Sequence, residues 1–372
     1  MTGKSIAALI GALALGACSA AQRDPGPSPG AGFETVTLLE HAPGGITVTT
    51  NERVILSQHQ FYNPEIKVIE WREHDGSIRP YPNEHWARAP GADEIGFNAV
   101  LAVRATDDDE LWLLDNGLGT GRPPRMIMAD LVTNEVERVI DLSGVAPSDG
   151  FFQDFALDPF HEFAYIADPA GGANAALVVV DLDSGEARRV LEGDASVVPE
   201  DVELTIDGQP FAAQTPDGRQ VPVRVGVNPI TIDWAYEWVY FGPMNGRSLY
   251  RIPTSSLRDP DRSDADLQAE VERYGDKPIS DGITIDRRGN VYVTDLAANG
   301  IGVVEPDGRY RLLFSDPQIS FPNGMAYHPD GYVYVTVAQL HRSPRFNGGA
   351  DRSQPPFRLI RFVPFDESSI GR

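Results

Sequence analysis

From about residue 33 onward, apolar and polar positions alternate in short bursts separated by polar turns. The stretch "SDGITIDRRGNVYVTD", residues 280–295, shows the unit. A polar residue and a glycine lead into Ile283, Thr284 and Ile285; a polar turn follows; then come Val291, Tyr292, Val293 and a closing aspartate. Alternation of period two on both sides of Gly289-Asn290 predicts two antiparallel strands joined by a tight turn. Five other stretches have the same form, starting at Gly44, Phe97, Phe152, Val227 and Pro322. A third strand follows most of them, visible as "RMIMADL", "ALVVVDL", "RSLYRIP", "GIGVVEP" and "FRLIRFV". Four strands per unit and six units predict an all-β, six-bladed β-propeller. Two stacked sandwiches would not require the repeated phrase. The inner strands should begin near residues 46, 100, 155, 230, 283 and 325. The last unit lacks an outer strand of its own, so "FETVTLLEH", residues 33–41, is expected to pair beside 357–363 and close the ring.

Two segments depart from the repeat. Residues 191–226 contain the turn signals "IDGQ" and "TPDGRQ" and should form an extra hairpin projecting from a blade. Residues 263–275 predict a helix, with Leu267, Val271 and Tyr274 on one face.

The start of the chain reads as targeting rather than structure. Lys4 precedes the apolar run "SIAALIGALALGA", which suits a signal peptide over residues 1–17 and is too short for a spanning helix. It ends "LGAC", which resembles the bacterial lipobox, and Cys18 is the only cysteine of the chain. Cys18 is therefore expected to be lipidated, with residues 18–32 as a tether and 33–372 as the propeller domain. The expected product is an exported lipoprotein, periplasmic or outer-membrane-anchored, or else at the cell surface or extracellular, touching membrane only through this lipid. Acidic residues number 54 against 31 basic ones, for a formal charge of −23 over 372 residues. A surface of that sign repels a phosphate backbone, which excludes nucleic acid as a partner. The expected partner is a small molecule, and the domain reads as a monomer.

Propeller geometry turns the repeat into a map of candidate chemistry. Residues just before each inner strand and just after each second strand surround the same mouth of the central channel. The first set holds Asn98, Gln153, Asp154, Asn228, Asp281 and Asn323; the second includes Gln58, His59, Asp115, Asn116, Asp168, Asn245, Asp295, Asn299, Gln339 and His341. As ligand-binding candidates we single out Asn323, Asn228, Asp154, Gln153, Asn98, His59 and His341, with Asp281 as the catalytic candidate. Carboxylate and amide oxygens at such a mouth suit a polar ligand, or calcium or another divalent cation, although no cofactor is required. Each residue also has an ordinary reading as a turn former or strand-end cap. His74, His85, His161 and His328 fall in turns or links and read as surface residues. No nucleophile elbow, phosphate loop or H-E-x-x-H motif is present.

Several blades carry more specific wording. "ELWLLDNG" followed by "PRMIMADLVTNEVERVIDL", with "IRPYPNEHW" upstream, resembles the yellow and major royal jelly protein family. "FAYIADPAGGANAALVVVDLDSGEARRV" and "ITIDWAYEWVYFGPMNGRSLYRIPTSSLRD" look like its later blades. The resemblance implies a six-bladed, often secreted propeller with a small-molecule site at the channel mouth; members include binders of small amines and proteins linked to dopachrome conversion. A looser similarity links "SDGITIDRRGNVYV" and "VNPITIDW" to the gluconolactonase-like (regucalcin) propellers. It implies metal-binding roles for Asp281, which would also be catalytic, and for Asn228. Those enzymes place a glutamate before the first inner strand, where this chain has Gly44. The alternatives are therefore a metal-free binder or isomerase and a metal-dependent lactone hydrolase.

Overall fold

The computed structural model describes residues 28–369 except 92–94 and 216. The expected signal peptide, Cys18 and the first part of the tether lie outside the described residues. Six four-stranded antiparallel sheets form the blades of a propeller. The inner strands are Pro43–Val48, Val100–Ala105, Asp154–Asp158, Val227–Ile232, Ile283–Ile285 and Pro322–Tyr327, one for each blade from 1 to 6. Blade 6 is closed as expected by Glu34–Leu39, which runs antiparallel to Phe357–Phe362 with Glu34 opposite Arg361 and Leu39 opposite Phe357. An ion pair of 3.0 Å between Arg361 and Glu34 adds to this closure.

The alternation that identified the strands does not mark a wet and a dry face. Both faces of a blade are covered by its neighbours, so strands such as Val333–Val337 are buried at every position. Between blades 2 and 3, for example, Trp112 and Leu114 pack with Phe152, Phe155 and Ile166. Emptying one such aromatic position costs about 3–5 kcal/mol. Tyr292, a polar side chain within these layers, is fully buried and donates its hydroxyl to Asp286 at 3.0 Å.

Three expectations are corrected. The helix covers only Asp264–Glu270, begun by a capping box between Ser263 and Asp266. Residues 272–276 instead form the outer strand of blade 4, with Arg251 opposite Glu272 and Leu249 opposite Gly275. Pairing to an exposed strand edge satisfies more backbone groups than another helical turn would, so Leu267 is buried in the helix while Tyr274 belongs to the sheet. His328 is buried, stacked on Tyr334 with ring centroids 4.6 Å apart, rather than on the surface. The insertion after blade 3 makes two small hairpins, Thr205–Ile206 with Gln209–Pro210 and Ala212–Gln214 with Gln220–Pro222. They do not project. Leu204, Ile206 and Phe211 pack with Met244, Ile279, Leu296, Phe321 and Leu340, which lays the insertion over the channel end where the inner strands begin.

Candidate functional site

In blades 1, 5 and 6 the entry to the inner strand is held by a hydroxyl from the second strand of the same blade. In blade 5 the Thr294 hydroxyl accepts from the amides of Asp281 (2.9 Å) and Gly282 (3.1 Å). In blade 6 Thr336 accepts from Gly324 (2.9 Å) and donates to the Gly44 carbonyl (2.8 Å) of blade 1. In blade 1 Ser57 accepts from Gly45 (2.9 Å) and donates to the Leu101 carbonyl (2.8 Å) of blade 2. The glycines serve proximity rather than turn geometry. Neither Gly282 nor Gly324 has a left-handed φ, but a Cβ on Gly282 would run into the Asn323 carbonyl. Glycine there lets blades 5 and 6 close on one another, and this brings Asp281 and Asn323 to one place.

One small cavity at this channel end gathers His59, Gln153, Asp154, Asn228, Asp281 and Asn323, together with Arg104. Its volume of about 20 Å³ is room for one water or one small ligand group. Of the residues singled out from the sequence, Asn98 and His341 do not line it. Asn98 turns its amide to Asp115 at 3.1 Å. His341 lies under the inserted hairpins, 3.0 Å from Asp207 and stacked on Phe321.

The cavity is defined by partners that are missing. Asp281 accepts from Asn228 Nδ2 at 2.5 Å through Oδ1, but its buried Oδ2 has no partner, and neither does Asn228 Oδ1. Burial, with the Asp154 carboxylate nearby, pushes the Asp281 carboxyl up to about 7 against the pull of the Asn228 hydrogen bond. His59 accepts from the Phe61 amide through Nδ1 (3.3 Å), which assigns the proton of the neutral ring to Nε2, and Nε2 has no partner. Burial lowers the His59 pKa to about 3, so the ring stays neutral. Asp154 is engaged: both its oxygens accept from Arg104 Nη2, at 2.7 and 2.9 Å. Burial nevertheless raises its pKa, with Arg104 opposing. Arg104 escaped sequence reasoning, although a lone arginine inside the otherwise apolar run "AVLAVRA" was the signal.

The other aspartates of the rim are satisfied. Asp115 accepts from the amides of Asn98 (2.9 Å) and Ala99 (2.7 Å) and pairs with Arg125 at 2.9 Å. Asp168 accepts from the Phe151 amide (2.7 Å) and pairs with Arg189 at 2.5 Å. Asp295 accepts from the Ala298 amide (3.0 Å) and the Tyr310 hydroxyl (2.7 Å). For these three the reading as structural caps holds.

Above the cavity lies an aromatic layer. Phe61 packs on His59 (centroids 4.5 Å apart), on Phe151 (6.1 Å) and on Phe346 (5.3 Å). Phe211 of the insertion packs on Phe346 (4.7 Å), while Asp207 ties its hairpin to Asn299 (2.7 Å) and Arg342 (2.7 Å) of blades 5 and 6.

A divalent cation does not suit this donor set. Calcium takes six to eight oxygens, several of them carboxylate. Here Asp281 supplies the one free carboxylate oxygen, the side-chain oxygens beyond the engaged Asp154 are the neutral amides of Asn228, Gln153 and Asn323, and the Arg104 guanidinium lines the same cavity. Gly44 supplies no side chain, and a Cβ there would sit 2.5 Å from the Ser57 hydroxyl. Among the described residues, no group of three His, Cys, Asp or Glu side chains is placed to hold a metal ion.

Comparison with known proteins shows the family and the fold. The family model described as "Major royal jelly protein" matches residues 99–360. Major royal jelly protein 3 of Apis mellifera is 22% identical over 239 residues, which are 61% of this chain and 41% of that protein. Major royal jelly protein 1 of the same organism is 24% identical over 222 residues, 55% of this chain and 48% of that one. The matches thus span less than half the length of these relatives. Among solved structures, a calcium-binding protein, regucalcin, from Agrobacterium tumefaciens is similar at a TM-score of 0.56, with 13% identity, covering 91% of this chain and 98% of that one. A gluconolactonase from Xanthomonas campestris is similar at 0.55, with 11% identity and 89% of each chain covered. At such identity these two likenesses show the fold alone.

Proposed function

The chain belongs to the major royal jelly protein family, and from that premise we propose that its channel mouth binds a small molecule combining a hydrogen-bond-donating polar head with an aromatic or flat apolar body. The observation that carries this reading is the unpartnered Asp281 Oδ2, buried beside an unpartnered Asn228 Oδ1. Leaving a buried polar group unpaired costs about 1–3 kcal/mol, so two adjacent acceptors favour a ligand that donates to both. An ammonium does so, as do the two hydroxyls of a catechol. The head fits the small cavity, and Phe61, which packs on His59 at its edge as well as on Phe151 and Phe346, would meet the body. Opposite the acceptors, the His59 Nε2–H offers the ligand one donor.

The same arrangement supports proton transfer within the bound molecule. A carboxyl whose pKa is about 7 is as ready to give a proton as to take one at neutral pH. Asp281 would take a proton from one atom of the ligand and return it to another, with Arg104 and His59 donating to the oxygen that gains charge between the steps. No co-reactant is needed for such an isomerisation. The test is a thermal-shift screen of catechols, aryl amines, lactones and calcium against the wild type and Asp281→Asn. An upward shift with an aromatic donor, lost in the variant, supports the reading. A shift with calcium alone, lost in the same variant, would overturn it in favour of a metal site.

A further inference from the structure

The face of the propeller opposite the site carries unexplained apolar exposure. Each inner strand runs away from the site, so the turns at 159–162 in blade 3 and 233–237 in blade 4 lie on that opposite face. Phe160 at the first is 75% exposed and Trp234 at the second is 49% exposed. Val132, in the turn between the outer strands of blade 2, reaches the same face and is 72% exposed. Phe160 and Val132 are the most exposed large apolar side chains among the described residues. Turn chemistry does not require them. The equivalent turns of blades 5 and 6 read "RRGN" and "HPDG", polar residues with the glycine such a turn favours.

The amino terminus of the described chain enters at this same face. Gly30 donates to the Val363 carbonyl at 2.9 Å, and Glu34 stands opposite Arg361 at the end of the strand Phe357–Phe362. The Glu367 carbonyl, just beyond, accepts from the Arg287 amide (3.0 Å) in the blade 5 turn, and the Arg287 guanidinium lies 5.8 Å from the Trp234 ring. Nine residues lie between Cys18 and Ser28, which makes ten steps of the chain. Even fully extended, that length keeps a lipid on Cys18 within about 36 Å of Ser28.

We propose that this face rests on the bilayer entered by the Cys18 lipid, with Phe160, Trp234 and Val132 in the headgroup region and the channel mouth pointing away from the membrane. The proposal rests on the reading of Cys18 as acylated. Trp and Phe suit that region because part of each ring can be buried while the remainder stays wet. Three scattered side chains are too few to hold a protein on lipid by themselves; acyl chains hold it, and the aromatic turns choose which face meets the surface. The acidic turn Asp107–Asp109 on the same face disfavours anionic lipid, so the surface fitted best is zwitterionic. The consequence is functional: the site samples soluble molecules of the compartment, not lipid.

The test uses the full chain, made in a host that acylates exported lipoproteins and reconstituted into phosphatidylcholine vesicles. Intact mass reports acylation of Cys18. Nitroxide labels are placed through Phe160→Cys, Trp234→Cys and, on the inserted hairpin over the site, Val221→Cys. The collision rate with membrane-soluble oxygen, relative to a water-soluble nickel chelate, should be several-fold higher at 160 and 234 than at 221. Acylated protein in which the nickel chelate reaches 160 and 234 as readily as 221 would overturn the docking and leave the anchor standing. Absence of the acyl mass would overturn the anchor, and the docking with it.

Discussion

Two groups of aspartates stand at the same end of the propeller and differ in one respect. Asp115, Asp168 and Asp295 follow second strands, and each is saturated by backbone amides and an arginine or a tyrosine. Asp281 precedes an inner strand, and it has one side-chain donor and one bare oxygen. The first group stabilises the rim; the second is left incomplete, and a bare carboxylate oxygen in a cavity beside other unpartnered polar groups marks a candidate binding group. Residue type and location along the channel do not separate the two groups. Hydrogen-bond accounting does.

The comparison breaks most visibly if Asp115 is altered. Asp115→Ala leaves a mostly buried Arg125 and two amides without their acceptor, and we expect a loss of about 3–5 kcal/mol in denaturant unfolding. A loss below 1 kcal/mol would mean that the saturated group is not structural.

Asp281→Asn should act in the opposite direction. The folded state holds this carboxyl at about 7 against an ordinary 3.8, so it binds the proton more tightly than the unfolded chain does. Its stabilising contribution is therefore complete below about pH 4 and lost as the pH rises to about 7. A shift of about three units corresponds to up to about 4 kcal/mol. The variant should match the wild type near pH 4 and exceed it at pH 8, by an amount that denaturant titrations at the two pH values measure.

His59 sharpens the contrast from the other side. Its pKa, lowered to about 3, makes the folded state lose stability as pH falls below the ordinary 6.5. NMR of the ring should show no titration between pH 8 and 5; a midpoint near 6.5 would contradict its burial in the site. The smallest effect is expected far from both groups. Glu34→Ala removes a half-exposed partner of Arg361 at the ring closure and should cost under about 1 kcal/mol.

The fold was legible in the sequence because each blade repeats the same local signals, and because the missing outer strand of the last unit had only one candidate, residues 33–41. The convergence of Asn228, Asp281 and Asn323 was legible for the same reason: the repeat places them at equivalent positions. What the sequence hid depends on contacts between blades. Arg104 is a neighbour of Asp154 only because blades 2 and 3 adjoin, and the neutrality of His59 is set by burial from several elements at once. The segment around Tyr274 carried a helical pattern, yet the open edge of blade 4 claimed it. The insertion looked like a surface hairpin because nothing in its turns announces that Asp207 will find Asn299 and Arg342 on the far blades.

The most direct measurement is a carboxyl titration by carbon NMR of protein labelled at aspartate, with Asp281→Asn used to assign the signal. A carboxyl that titrates near 7, absent from the variant and moved by a bound aromatic donor, is the predicted result. An Asp281 signal that titrates at the ordinary value near 3.8 and ignores every ligand would make it one more rim aspartate, and the proposed site would fall with it.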